Sequence, residues 1–235
     1  VTGSFIIVDR ISNLTMGAGM ILDRTASALV RSPKARADKR TALLTAVDSH
    51  VTADQRLQRF GHQPATIWLT GLPRSGKSTI AYALEKRLWD YGCTVSVIDG
   101  VNMRLGLSRD LGFSADERSE ASRRAAETAH ILNDAGLMTI AAFVSPYTAD
   151  RDRARERVGT DRFVEVWLDA PVDVCEARDE KLFPDGDGLY ARARSGQIKH
   201  FTGISAPFEP PENPDLKLST NTLTVHQSVD TIFEF

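Results

Sequence analysis

Residues 71–78 read Gly-Leu-Pro-Arg-Ser-Gly-Lys-Ser, and this string restricts the fold more than any other stretch of the chain. The apolar run Ile67-Trp68-Leu69 leads into it through Thr70. Beyond it, Ile80, Leu84 and Leu88 recur at helical spacing from Ser78 to Tyr91, until Gly92 stops the helix. The order is therefore strand, glycine-bounded turn, helix. Glycines let successive backbone N–H groups curl toward one anion, and the helix N-terminus adds partial positive charge there. Gly-x-x-x-x-Gly-Lys-Ser in this setting is a phosphate-binding loop of the nucleoside-triphosphate type, P-loop for short. Its lysine, Lys77, suits the β- and γ-phosphates, and the Ser78 hydroxyl suits Mg²⁺. The competing reading is a glycine-rich turn with a surface lysine. Average residue usage gives a chance match on the order of one per cent in a chain of this length.

From Thr66 onward strands and helices alternate. Strands are expected at 67–69, 95–98, 137–144 and 163–168, and a charged helix over about 149–158. A long helix is expected from the Ser114-Ala-Asp-Glu117 capping box through Leu132 to Gly136. Such alternation predicts an α/β fold, a P-loop NTPase-type three-layer sandwich with a central parallel sheet and helices on both faces. Residues 1–22 read as short strands around a turn, too few to be stable alone. The stretch 31–63 is polar and basic, with Pro33, and reads as a linker holding one short helix around Ala42 to Val47.

Among 235 residues the net charge is -2. There is no overall basic field for nucleic acid or an anionic membrane, so any positive site is local. The longest apolar stretch, Leu137 to Val144, is too short to span a bilayer. Cys93 and Cys175 have no metal or redox spacing, which points to free thiols in a reducing cytoplasm.

No Asn-Lys-x-Asp guanine-reading motif occurs, which argues against a GTPase. Asp99 ends the second strand of the alternating region, on the side where open α/β sheets bind ligands; alone it reads equally well as an Asp-Gly turn. Arg104, Arg109, Arg118, Arg123 and Arg124 follow, a grouping that suits phosphate or sulfate, although isolated arginines are usually solvated.

Taken together, several segments resemble adenylyl-sulfate (APS) kinase. They are Gly71 to Thr79, Asp99 to Arg104, Gly106-Leu107, Asp110 to Ser114, Arg123-Arg124, Phe143 to Tyr147, Val174-Cys175-Glu176-x-Arg178-Asp179, Gly188 to Tyr190 with Ala193-Arg194, and Phe201 to Ile204. They run in family order across residues 64–235. The resemblance implies ATP-dependent phosphorylation of adenosine 5'-phosphosulfate at its 3'-hydroxyl, with ATP and Mg²⁺. It implies catalytic roles for Lys77, Asp99 and Ser145, and ATP binding by Gly71, Leu72, Pro73, Arg74, Ser75, Gly76, Lys77, Ser78 and Thr79. Metal would be held by Ser78 and Asp99, and APS by Asn102, Arg104, Phe113, Arg118, Val144, Ser145, Lys181, His200 and Phe201. Ser145 matches the position of a phosphoserine intermediate in the family, and a structural or orienting serine is the competing expectation.

Thr2 to Asp9 and Ala18 to Ile21 resemble the end of the GTP-dependent large subunit of sulfate adenylyltransferase. Residues 1–30 are then the remnant of a preceding β-domain, 31–63 the linker and 64–235 the kinase domain. The implied partners are that fused domain and its small subunit, with a homodimer left open. The chain departs from the family pattern at Val101, where Asp is usual, at Ala121, where Asn is common, and at Pro73-Arg74 in place of Ser-Gly. Leu182 to Asp187 also looks like an insertion. Two rivals follow: a kinase for another small acceptor, and a weakly active nucleotide-binding domain that regulates or scaffolds a fused sulfurylase.

Overall fold

The structure, a computed structural model, describes residues 3–8, 15–21, 47 and 49–235. The chain divides into two compact units, Val1–Ser49 and His50–Phe235. In the first, β1 (Gly3–Val8) and β2 (Thr15–Ile21) pair antiparallel, with Gly3 opposite Ile21. The helix expected around Ala42 to Val47 falls almost wholly outside the described residues.

The second unit opens with α1 (Ala53–Phe60), inside the stretch expected to be linker. Thr52 and Gln55 close a capping box at its start, and left-handed Gly61 ends it. Then come β3 (Thr66–Thr70), α2 (Lys77–Asp90), β4 (Val95–Asp99), α3 (Gly100–Leu105), α4 (Ala115–Asp134), β5 (Met138–Ala142) and α5 (Thr148–Val158). They are followed by β6 (Phe163–Asp169), α6 (Val172–Leu182), α7 (Leu189–Arg194), β7 (Leu216–Ser219) and α8 (Val225–Glu234). The five strands β3 to β7 form one sheet in the order β4-β5-β3-β6-β7, every neighbouring pair parallel. The α/β sandwich expected from the alternation is present.

Period-two alternation divides the core between the two faces. Ile67 and Leu69 of β3, with Ile140, Val166, Leu168 and Leu218, pack under α2 (Ile80, Leu84, Leu88) and α8 (Val229, Ile232). Trp68, between them in sequence, faces the other way with Ala141, Phe143 and Phe163, under Ala125, Ala126 and Ala129 of α4 and Ala154 and Val158 of α5. The alanines of α4 let that helix lie close against the bulky Trp68 ring, which stacks on Phe143 with centroids 5.6 Å apart. Because all five strands run the same way, their C-terminal ends and the following loops share one edge, where α/β sheets place ligands.

Candidate active site

The loop after β3 takes its shape from glycines the sequence put in place. At Gly71 a Cβ would lie 2.6 Å from the Leu168 carbonyl oxygen and 2.8 Å from Ser75 Oγ, at a φ of +148°, so only glycine fits. Gly76, at φ 103°, starts α2. Lys77 is buried and curls back into the loop, its Nζ donating to the carbonyls of Gly71 (3.0 Å) and Leu72 (2.7 Å). Burial lowers its pKa from 10.5 to about 8, although Cys175 and Asp99 pull upward. The ammonium is held where the loop closes, with backbone carbonyls as partners that an incoming phosphate can replace.

Beside it, Ser78 Oγ donates to Asp99 Oδ2 at 2.6 Å. Asp99 ends β4 and caps α3, its Oδ1 accepting from the N–H groups of Val101 (2.8 Å) and Asn102 (3.4 Å). A hydroxyl and a carboxylate side by side at a strand end, next to a phosphate cradle, suit Mg²⁺, which takes one or two protein oxygens and fills its shell with water and phosphate oxygens. Among the described residues no cluster of three or more His, Cys, Asp or Glu offers a metal cage.

Across the same edge lies an aromatic and cationic group. Phe113 is half exposed, with the Arg104 guanidinium 4.3 Å and that of Arg118 5.4 Å from its ring centroid. Arg104 donates to the carbonyls of Leu111 (3.0 Å) and Gly112 (2.6 Å), and Arg118 to those of Phe113 (3.0 Å) and His200 (3.1 Å). Arg118 thus ties the start of α4 to the loop before Phe201. Burial lowers the pKa of both arginines, and the Arg104 charge lowers Arg118 further. Two neighbouring cations in partial burial gain from an anion between them.

The structure does not assemble every expected residue in this way. Arg124 is engaged by both oxygens of Asp110 (2.6 and 2.8 Å) and by Glu120, and Arg123 by Glu120. These local carboxylates neutralise Arg123 and Arg124, Arg109 is exposed, and of the five arginines Arg104 and Arg118 are the two that meet at the Phe113 ring. Asn102 is exposed and donates to Tyr82 Oη at 2.8 Å, and Val101 is exposed rather than packed. Lys181 stands exposed in the last turn of α6. The Phe201 ring is buried, edge-on to Tyr190 with centroids 4.9 Å apart, in a small core with Ala170, Cys175 and Ala193. Cys93 and Cys175 are free thiols.

Ser145 is also buried. Its Oγ accepts from Trp68 Nε1 (3.1 Å) and donates to Thr70 Oγ1 (3.0 Å), while its carbonyl accepts from Arg151 (2.8 Å). Its φ of 35° is strained for a serine, and Thr70 also fixes the Val144 carbonyl at 2.9 Å. Arg151, Tyr190, Asp179 and Thr220 were given no role from sequence, yet all bear on this edge; Thr220 Oγ1, just after β7, donates to the Ser75 carbonyl of the loop at 2.9 Å. The quoted motifs around Asp179 and Tyr190 were the only signal for them.

A parallel five-stranded sheet with a Gly-x-x-x-x-Gly-Lys-Ser loop on its central strand, and an acidic strand end beside it, defines a P-loop kinase type of nucleotide-binding protein. The chain belongs to the adenylylsulphate kinase family, whose model matches residues 63–219. It is 44% identical over 235 residues to the bifunctional enzyme CysN/CysC of Rhodopirellula baltica, covering 99% of this chain and 35% of that protein. It is 47% identical over 188 residues to the adenylyl-sulfate kinase of Staphylococcus epidermidis, covering 80% of this chain and 92% of that one. The Mycobacterium tuberculosis APS kinase CysC, solved in complex with AMPPNP and APS, superposes with a TM-score of 0.67 at 39% identity, over 73% of this chain and 96% of that one. The chain spans about a third of the length of its bifunctional relatives.

Proposed function

We propose that the chain transfers the γ-phosphoryl group of ATP to the 3'-hydroxyl of adenosine 5'-phosphosulfate, giving 3'-phosphoadenosine 5'-phosphosulfate and ADP in sulfate assimilation. The observation that carries this reading is the pairing, on one sheet edge, of the 71–79 cradle with the Arg104, Phe113, Arg118 and His200 group. An aromatic face accepts adenine, and guanidinium forks match the sulfate and phosphate oxygens. The acceptor hydroxyl forms the new P–O bond, the bond from the γ-phosphorus to the β,γ-bridging oxygen breaks, and the hydroxyl proton is released. Lys77 and the loop N–H groups hold the charge that builds on the phosphoryl oxygens, while Asp99, which with Ser78 would hold the metal, orients the acceptor. Mg²⁺, held by Ser78 and Asp99, would supply charge neutralisation to the phosphates.

The bonds of Ser145 Oγ inside the core favour direct transfer, with Ser145 shaping the wall of the acceptor site. Residues 1–30 are proposed as the end of a sulfate adenylyltransferase-like domain, because the likeness to the bifunctional R. baltica protein extends over 99% of this chain. Both free thiols, and the lack among the described residues of any helix long and apolar enough to cross a membrane, fit the cytoplasm.

The test is ADP release by the purified chain with MgATP, with and without APS and with a panel of nucleosides and sugar acids. ADP release that needs APS and matches it one to one is expected, with Lys77→Ala lowering turnover by roughly 10²- to 10³-fold. Tight ATP binding with no APS-dependent turnover would sink the assignment.

A further inference from the structure

The outer rim of the phosphate loop is gripped by the two helices that follow β6. Tyr190 Oη of α7 donates to the Pro73 carbonyl at 2.9 Å, and Arg178 Nη1 of α6 donates to the Arg74 carbonyl at 3.2 Å. The Arg74 side chain turns away from the cradle, and its Nε donates to Asp179 Oδ1 at 2.7 Å. Asp179 is 1% exposed in its side chain. Its second oxygen accepts from Tyr190 N at 2.8 Å, and a Cβ at Gly188 would fall 2.6 Å from it. Above this pair the Arg74 guanidinium covers the Phe183 ring, 5.4 Å from its centroid. Phe183 lies in the 182–187 stretch that the sequence sets apart as an insertion, and Arg74 is one of the departures in the loop. The two unusual features of the sequence therefore meet each other. Arg74 has a φ of 65°, a conformation that disfavours a side chain, so its contacts must outweigh that strain.

We propose that Arg74 and Phe183 are positioning residues for the nucleotide, forming with Asp179 a latch that holds the 182–188 segment against the rim of the phosphate loop. The Pro73 and Arg74 carbonyls are engaged by Tyr190 and Arg178, so a latch that holds these helices against the rim keeps the backbone of the loop in one shape for the phosphates. This rests on the nucleotide-binding reading above and deepens it. Loss of the latch loosens the cradle while leaving the Arg104, Phe113 and Arg118 group, built on α3 and α4, in place.

Binding of a non-hydrolysable ATP analogue by calorimetry to wild type, Arg74→Ala, Arg74→Lys, Phe183→Ala and the Ala/Ala double variant tests this, with the KM for APS and thermal unfolding measured alongside. Each single Ala variant is expected to weaken analogue binding about five- to twentyfold, and the double variant no more than the worse single one, as for residues acting through one contact. Arg74→Lys keeps the charge but not the planar fork, and should recover only part of the loss. The KM for APS should stay within about twofold, a split that general loosening of the fold does not give. Phe183 is half exposed, so its Ala variant folds even if Arg74→Ala does not. Unchanged analogue affinity in Phe183→Ala, or additive losses in the double variant, would overturn the latch alone. Failure of the wild type to bind the analogue would overturn the nucleotide reading and the latch with it.

Discussion

Lys77 shows what a single buried cation costs and does. Burial holds its pKa at about 8 in the free protein, and a triphosphate in the cradle favours the charged form and raises it. Below about pH 7 the lysine is protonated with or without nucleotide, so MgATP affinity is flat. Above pH 8 binding must take up a proton, and Kd is expected to rise by up to about tenfold per pH unit until the pKa of the complex is reached. Calorimetry in buffers of different ionisation enthalpy would detect that uptake directly; a flat Kd from pH 7 to 9.5 would contradict it. The stability of the free protein follows the same shift. The folded pKa lies below the unfolded 10.5, so the unfolded chain binds more protons between about pH 8 and 10.5, and stability rises with pH across that window. The penalty present below pH 8 is about 3 kcal/mol by linkage. Lys77→Met should therefore melt higher than wild type at pH 7, lose activity, and show a shrinking difference toward pH 10. Ser145 presents the opposite case, a hydroxyl with structural work. Ser145→Ala leaves Trp68 Nε1 buried without its acceptor, at a cost of about 1–3 kcal/mol, yet should retain measurable turnover. Mass spectrometry after incubation with ATP alone should find no phosphoserine at position 145, and stoichiometric labelling chased by APS would restore the covalent route.

Between elements, the most consequential side chain is Arg151. It is 2% exposed, and reaches from α5 to the Ser145 carbonyl (2.8 Å), the Glu209 carbonyl (2.8 Å), Thr148 Oγ1 (3.0 Å) and Glu165 of β6 (2.8 Å). It therefore fixes the strained turn after β5 and the loop that continues from Phe201 at one point. Burial raises the Glu165 pKa even with Arg151 and Arg155 opposing it. Arg151→Met leaves that carboxylate short of its main partner, and should destabilise the fold by about 3–5 kcal/mol at pH 7. The loss should be smaller at pH 5, where Glu165 can take a proton, and urea unfolding of both proteins at the two pH values would measure it. A loss that grows as pH falls would exclude this account. None of this was legible in the sequence. The strand–loop–helix order around residues 66–90, the β3 to β6 strands and the Ser114 capping box match the expectation because each is set by residues within a few positions of one another. Arg151 takes its meaning from Glu165 and Glu209, and the burial of the Phe201 ring depends on Tyr190 and Cys175, which arrive from α7 and α6. The five-arginine cluster narrowed for the same reason, since sequence spacing does not reveal that Asp110 folds back onto Arg124. The helix α1 sits in the stretch expected as linker because Leu57 and Phe60 are its only bulky apolar residues, too few to mark a core helix in a polar, basic sequence.

At the scale of the whole molecule, the question is where the kinase unit begins. The sequence expectation puts the boundary at residue 64 and the family match begins at 63, while the larger compact unit starts at His50 and includes α1. The Phe60 ring covers Gly136 so closely that a Cβ there would lie 2.7 Å from it, and Arg56 donates to the Ala135 carbonyl at 3.1 Å. Just past α1, His62 Nε2 accepts from Thr94 N at 3.0 Å, securing the start of β4. These contacts bridge α1, the end of α4 and β4, so two truncations that look alike in sequence should differ in outcome. Removal of residues 1–49 takes away a separate unit and should leave kcat, KM and Tm of the kinase unchanged. Removal of residues 1–62 exposes Gly136 and the α4 terminus and leaves the Thr94 N–H without its imidazole. Losing a partly buried aromatic ring and two hydrogen bonds costs about 2–3 kcal/mol, which for a unit of this size lowers Tm by roughly 4–10 °C. Turnover per folded molecule should survive, because α1 lies outside the cradle and the Arg104, Phe113 and Arg118 group. Thermal melts and steady-state kinetics on the two truncations decide the boundary. Equal stability in both would return α1 to the linker, and loss of activity in the shorter deletion would make residues 1–49 part of the kinase rather than of the domain proposed to precede it.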